Sequence, residues 1–242
     1  MARNDKRKSY QMREINIIKD FMPNAQGSCL IEFGRTRVLC TATVQNQAPL
    51  YVPEGTGWLT AEYSMLPGST GTRKARERMK YDGRSIEIGR LIGRSLRSVM
   101  DFTAIPGITI TIDCDVIQAD GGTRTASISG GFVALYLAVE KLIEKGQIER
   151  SPIKKYVAAV SAGMVGGTPL LDLCYTEDSS AEADMNYVGD EDGNISEIQV
   201  SGEKRTITGK EFTDLLMLCR QGVDRIIAKQ KSVLEHKKEE ER

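Results

Sequence analysis

TITIDCDVIQADGGTRTASISGGFVALYLAVEKLIE, residues 109–144, reads as a strand, a double-glycine turn and a long helix. Thr109–Ile117 carries Asp113 and Asp115 on alternate positions among apolar residues, the period of a strand. Residues 124–144 form an apolar helix with Ser and Gly on part of its surface, which suits close packing. A strand that turns at once into a buried helix needs a sheet for that helix to cover.

The flanking sequence supplies further elements. Ser28–Gly34 and Arg37–Val44 read as a β-hairpin closed by a Gly-Arg-Thr turn. Pro49–Thr72, rich in Pro, Gly, Ser and Thr, reads as a long structured loop. Residues 84–100 read as a helix, with Ile88, Leu91, Ile92, Leu96 and Val99 on one face and Arg90, Arg94 and Arg97 on the other. Val157–Val165, Pro169–Tyr175, Asp184–Val188 and Ile195–Val200 are strand-like, and 209–231 is a closing helix. This order predicts an α+β (mixed α/β) fold of two similar lobes, mixed sheets packed with helices. The polar stretch Lys145–Lys155 divides the lobes into 1–150 and 151–242.

Composition removes several chemistries. The chain has one histidine, His236, in the charged tail LEHKKEEER. Ser-His-Asp, Cys-His and His-ligated zinc sites would all rest on that residue. Acid-base work is therefore expected from carboxylates, and metal binding from oxygen ligands, which favour magnesium or manganese. Cys29, Cys40, Cys114, Cys174 and Cys219 are scattered, odd in number and without a CxxC pair. They read as buried thiols of a reducing cytoplasm. Met1–Tyr10 lacks a following apolar run and does not read as a signal peptide, and apolar stretches such as Val157–Val165 are too short to span a membrane.

Zero net charge conceals a segregation. Residues 73–97 hold nine basic and three acidic side chains; residues 172–197 hold nine acidic ones and no Lys or Arg. Two readings stand: solvated faces that attract each other, or a polyanion-binding surface beside an acidic metal site.

Three constellations carry chemistry. Gly121-Gly122-Thr123-Arg124 offers glycine-freed amides, a helix N-terminus, a hydroxyl and a guanidinium, which together suit an anion; it also reads as a helix cap beside a surface arginine. Arg84 follows Gly83 at a helix start, another place for a phosphate, or is one more surface arginine. Asp178 and Asp184 bracket a turn. They suit a shared magnesium or a shared proton, or serve as turn caps.

Five blocks of this sequence resemble the RNase PH family: 27–44, 57–73, 83–97, 112–128 and 171–188, covering most of residues 10–200 in the family's order. The resemblance implies a fold similar to the second domain of ribosomal protein S-five. It implies phosphate binding by Arg84, Gly122, Thr123 and Arg124, catalysis and magnesium binding at Asp178 and Asp184, and RNA contact by Arg73, Arg76 and Arg78. The implied activity is phosphorolytic 3′-to-5′ trimming of tRNA precursors with inorganic phosphate as co-substrate, by a cytoplasmic homo-hexameric ring, a trimer of dimers, with no membrane partner. The alternative it leaves is a non-catalytic RNA-binding subunit of an exosome-like ring. A small-molecule kinase would need a Gly/Ser-rich ATP loop, which the sequence does not offer. In one place the chain departs from the family's Gly-Thr-Ala-Glu run and Pro-Phe-Ser turn: it reads VSGEKRTITGKEF over 200–212, which puts the local hairpin in question.

Overall fold

The computed structural model describes residue 3, residues 5–76 and residues 82–235. Arg78 and residues 236–242, His236 among them, lie outside the described residues. Two sheets form the frame. The first contains β1 (Ile15–Lys19), β2 (Gly27–Phe33), β3 (Thr36–Gln45), β4 (Trp58–Met65) and β5 (Thr109–Gln118), in the order β1-β2-β3-β5-β4. Only the β4–β5 pair is parallel. The second contains β6 (Val157–Val165), β7 (Thr168–Leu171), β8 (Ala183–Asp190) and β9 (Ile195–Gly202), antiparallel in the order β7-β6-β8-β9. The helices are α1 (Gly83–Arg97), α2 (Thr123–Glu144), the single turn α3 (Tyr175–Asp178) and α4 (Gly209–Glu235). The fold is α+β, as the order of elements predicts.

Helix α2 joins the two sheets. It packs on β2, β3 and β5 of the first and on β6 of the second. Its glycines permit the approach: a Cβ at Gly130 would lie 2.6 Å from Ile31 Cγ2 and 2.8 Å from Cys40 Sγ. Cys29, Cys40 and Cys114 stand opposite one another across β2, β3 and β5, buried beneath this helix, and all five cysteines are free. The expectation that no apolar stretch reaches membrane-spanning length needs correction at α2, which has that length and hydropathy. Packing against two sheets accounts for it, since 72% of its most apolar window is buried within the protein.

Helix α1 follows its apolar period. Asp82 caps it by accepting from the Arg84 N–H, and Ile88, Leu91, Ile92 and Leu96 are buried against β4 and α2. Arg90 and Arg94 stay exposed. Arg94 Nη2 meets Glu197 at 2.8 Å, so the basic and acidic segments touch through β9.

Two sequence expectations are corrected. Pro49–Thr72 is not one loop, because Trp58–Met65 forms β4. Its strand character comes from parallel pairing with β5 and packing against α1, which turn-rich flanks conceal. Pro169–Tyr175 is not one strand. The chain leaves β7 at Leu171, turns through Asp172 with φ +55°, and enters α3. The edge strand β1 is an addition to the expected set. At 200–212 the hairpin is kept: β9 stays paired with β8 as far as Ala183 opposite Gly202.

Candidate active site

The Gly121–Gly122 turn at the start of α2 is held from behind. Gly121 and Gly122 have φ +77° and +67°, the left-handed region that favours glycine. Arg13 Nη1 donates to Asp120 O at 2.5 Å, and Thr36 Oγ1 donates to Gly121 O at 2.7 Å and accepts from Asp120 N at 2.9 Å. Arg13 is itself fixed by Asp172, whose carboxylate accepts from Arg13 Nη2 at 2.6 Å, Nε at 3.0 Å and the backbone N–H at 2.7 Å. Burial alone would raise the Asp172 carboxyl; Arg13, then Arg7, outweigh it and hold it below the ordinary carboxylate range. Arg3 and Arg7 bind the neighbouring Glu177.

There is no room for a side chain at Gly121. A Cβ there would lie 2.5 Å from Leu173 O and 2.9 Å from Tyr175 N, both backbone atoms. Gly121→Ala is therefore expected to destabilise the protein by at least about 2 kcal/mol, combining left-handed strain with overpacking. Chemical denaturation checks this, and an unchanged midpoint would contradict the claim that the turn is rigidly backed.

Four cradle residues take distinct places. Gly122 is the N-cap of α2, with no side-chain cap for the first amides. Thr123 is buried, and its hydroxyl lies 2.9 Å from the Tyr63 hydroxyl of β4. Arg124 is largely enclosed; its Nη1 donates to Gln199 Oε1 of β9 at 2.8 Å and lies 3.5 Å from Glu87 of α1. It is not the surface arginine of the simpler reading. Arg84 is exposed at the start of α1.

The strand period brings the carboxylates to this place. Across β6, β8 and β9, Gly163 pairs with Asp184 and Asp184 with Ser201, while Ser161 pairs with Asn186 and Asn186 with Gln199. These residues share one face of the second sheet, the face that Gln199 turns to Arg124. Gly163 has no room for a side chain, since a Cβ there would lie 2.7 Å from both Ala183 O and Leu173 Cδ1. Asn186 Nδ2 donates to Asp184 Oδ2 at 3.2 Å. Asp178 ends α3, solvent-exposed at its surface yet crowded by protein.

Electrostatics links the groups. Burial pushes the Asp178 carboxyl up, Arg84 and Arg124 pull it back, and Glu203 pushes it up again. Asp184 is raised first by burial, then by Asp178 and Glu203, with Arg124 opposing. Burial raises the Tyr63 phenol, while its bond to Thr123 and then Arg84 and Arg124 act the other way. Arg84, Arg124, Asp178, Asp184, Thr123 and Tyr63 thus share one electrostatic neighbourhood.

Arg73 and Arg76 are exposed beyond β4. Arg76 lines a separate groove with Glu62, Tyr63, Asp113 and Asp115, and Tyr63 is the residue that groove shares with the cradle. Sequence reasoning missed Tyr63, Gln199 and Glu203, and also the Arg13, Thr36 and Asp172 support. Tyr63 and the support residues are contacts between elements far apart in the chain, with no local signal. Glu203 follows β9 directly: Glu203 N donates to Glu182 O at 2.9 Å, and Lys204 Nζ to Ser180 O at 2.7 Å, so the atypical 200–212 segment is tied to the loop that carries the aspartates.

Comparison with known proteins agrees with this architecture. Residues 11–139 match the first domain of the 3′ exoribonuclease family RNase PH, and residues 155–222 match its second domain. Among solved structures, rice (Oryza sativa) Rrp46 is similar with a TM-score of 0.78 and 18% identity, over 96% of this chain and 100% of that one. The Archaeoglobus fulgidus exosome with RNA bound to the active site is similar with a TM-score of 0.79 and 23% identity, over 94% and 92%. An archaeal exosome core matches with a TM-score of 0.77 and 21% identity, over 95% and 91%. At these identities the likeness is one of fold.

Proposed function

Because this chain belongs to the RNase PH family of 3′ exoribonucleases, we propose that it shortens RNA from the 3′ end by phosphorolysis, with tRNA precursors as substrates. The observation that carries this reading is Arg124, at the start of α2, bonded to Gln199 on the sheet face that bears Asp184, with Arg84 of α1 and Arg124 both acting on Asp178. Cations and carboxylates in one site suit a reaction in which two anions must meet.

In this reading inorganic phosphate rests at the α2 N-terminus between Arg84 and Arg124. One of its oxygens attacks the terminal phosphorus, and the bond from phosphorus to the penultimate 3′ oxygen breaks. The departing oxygen takes a proton, for which Asp184, whose carboxyl burial and the nearby carboxylates raise from its ordinary value, is the candidate donor. The products are a nucleoside diphosphate and RNA shorter by one nucleotide. One phosphate ester link is exchanged for one phosphoanhydride, so nucleotide addition is the reverse reaction. Phosphate brings its own nucleophilic oxygens, so no histidine base is required.

The alternative role for Asp184 is metal binding: with Asp178 it forms an all-oxygen donor pair that fits a hard divalent cation, and it would then be ionised, with water supplying the proton. Magnesium bound there would neutralise charge on the scissile phosphate. Among the described residues no three His, Cys, Asp or Glu side chains form a metal cage, so substrate oxygens and water would complete the set. A homo-hexameric ring, a trimer of dimers in the cytoplasm, is part of the same proposal.

The likeness to exosome ring proteins favours a second reading, a non-catalytic RNA-binding ring subunit. One measurement separates the two. Single-stranded RNA with magnesium and inorganic phosphate is expected to release nucleoside diphosphates, and to release none when phosphate is omitted. RNA binding without any such release establishes the second reading instead.

A further inference from the structure

A groove of about 440 Å³ separates the N-terminal strap from α4, lined by Arg7, Gln11, Met12, Arg13, Ile15, Arg225 and Lys229. Its cations are not equivalent. Arg13 is matched by Asp172, and Arg7 by Asp5, Asp172 and Glu177. Arg225 donates one hydrogen bond, from Nη1 to Tyr10 O at 3.0 Å, and no carboxylate pairs with it among the described residues. Lys229 is half-buried, and its ammonium has no partner among the described residues. The neighbouring Asp224 is exposed on α4 and forms no ion pair with Arg225 or Lys229 among the described residues. The groove therefore carries an excess of two positive charges.

Arg225 and Lys229 are four residues apart on α4 and so share a helix face. Beside them the Tyr10 ring is 42% exposed, with Lys8 Nζ 5.9 Å from its centroid. Unneutralised cations along a groove, with an exposed aromatic ring on the residue next to its lining Gln11, form the general pattern for a single nucleic-acid strand: phosphates on the cations, a base on the ring. The far wall of the groove is Arg13, whose guanidinium holds the Gly121–Gly122 turn.

The geometry points to a second contact for the RNA, remote from the carboxylates, in which phosphodiesters of a single strand lie between Arg225 and Lys229 and a base stacks on Tyr10. This rests on RNA being the substrate. It adds affinity for long RNAs that short ones lack, and it is independent of sequence.

The test compares the full-length protein with Arg225→Gln/Lys229→Gln and with Tyr10→Ala, each confirmed as folded by thermal melting. Fluorescence anisotropy measures binding of a long labelled single-stranded RNA (~30 nucleotides) over a range of salt, and nucleoside diphosphate release is followed on a short oligonucleotide (~6 nucleotides). The double variant is expected to bind the long RNA about tenfold more weakly, with the salt slope shallower by roughly 1.4, that is two contacts at about 0.7 each. Tyr10→Ala is expected to weaken binding about tenfold with the slope unchanged. Release from the short oligonucleotide stays at the parent level in both. Equal affinity and slope for the parent and the double variant overturn the proposal. So does unchanged RNA binding with a smaller assembly mass, which would assign the groove to a second copy of the chain. Inorganic phosphate alone competing fully for the long RNA would assign it to free phosphate and overturn it too. If the parent releases nothing from either RNA, the phosphorolytic reading fails, while the binding comparison still judges the groove.

Discussion

Asp172→Ala is expected to lower the free energy of unfolding by about 3–5 kcal/mol, the loss that follows when one partner of a buried ion pair is removed. Asp172 is 1% exposed, and Arg13, with which it shares three hydrogen bonds, is 8% exposed. Without the carboxylate, the Arg13 guanidinium is left charged in the interior. It cannot deprotonate to escape, because a guanidinium is basic enough to stay charged even when buried. Alanine also meets the left-handed backbone at φ +55°, which Asn tolerates, so Asp172→Asn is expected to lose less than Asp172→Ala. The effect has a definite pH sign. A carboxyl held below its unfolded value stabilises the fold above about pH 4, and that contribution is lost as pH falls through its lower folded value. Urea unfolding of parent and variant from pH 7 downwards should therefore show their difference shrinking on the acid side. Equal stability of the two proteins at pH 7 would remove Asp172 as the anchor of the Gly121–Gly122 turn.

Much of this arrangement was legible in the sequence because it is local. The strand–glycine–helix run at 109–144 fixes its own form by period and by backbone freedom, and so does the apolar face of α1. The Arg84, Arg124, Asp178 and Asp184 positions lie in short motifs that each allow two readings, and it is the family resemblance that chooses between them. What escaped is non-local. Edge strand β4 buries Leu59 and Tyr63 on one face, but turn-rich flanks hide that alternation and its partner β5 lies some fifty residues on. Arg13 and Asp172 are 159 residues apart, and nothing near either names the other. Charge segregation was visible, but it misdirected part of the reading: the acidic residues Asp172 and Glu177 are satisfied by Arg3, Arg7 and Arg13 at the N-terminus rather than by the 73–97 segment. The basic segment instead meets the acidic one at Arg94 and Glu197. A charge count gives the excess of each segment, while the chain path decides which charges cancel. Arg225 and Lys229 are left over for that reason.

Arg124→Ala and Asp184→Asn are each expected to reduce phosphate-dependent release of nucleoside diphosphates by about 10²–10³-fold, the scale on which one pre-organised donor to a transferring group matters. The two substitutions should differ in stability, and that difference carries the argument. Arg124 makes structural bonds to Gln199 and Glu87, so Arg124→Ala loses some stability along with turnover. Asp184 is different: burial and the adjoining Asp178 and Glu203 carboxylates all disfavour its charge. A folded-state pKa above the unfolded value means that the ionised group opposes folding at neutral pH. Asp184→Asn should therefore melt at an equal or higher temperature than the parent while losing almost all turnover, the pattern of a residue kept for chemistry at the expense of the fold. Arg84→Ala completes the set. It is exposed, so its removal should leave the melting temperature unchanged, raise the phosphate concentration needed for half-maximal rate, and preserve most RNA binding measured without phosphate. Combining Arg84→Ala with Arg124→Ala should cost less than the product of the single losses, because both act on one anion. Parent-level turnover in Asp184→Asn would sink the proton-donor and metal roles together. Parent-level turnover in both arginine variants would move the phosphate away from the α2 N-terminus.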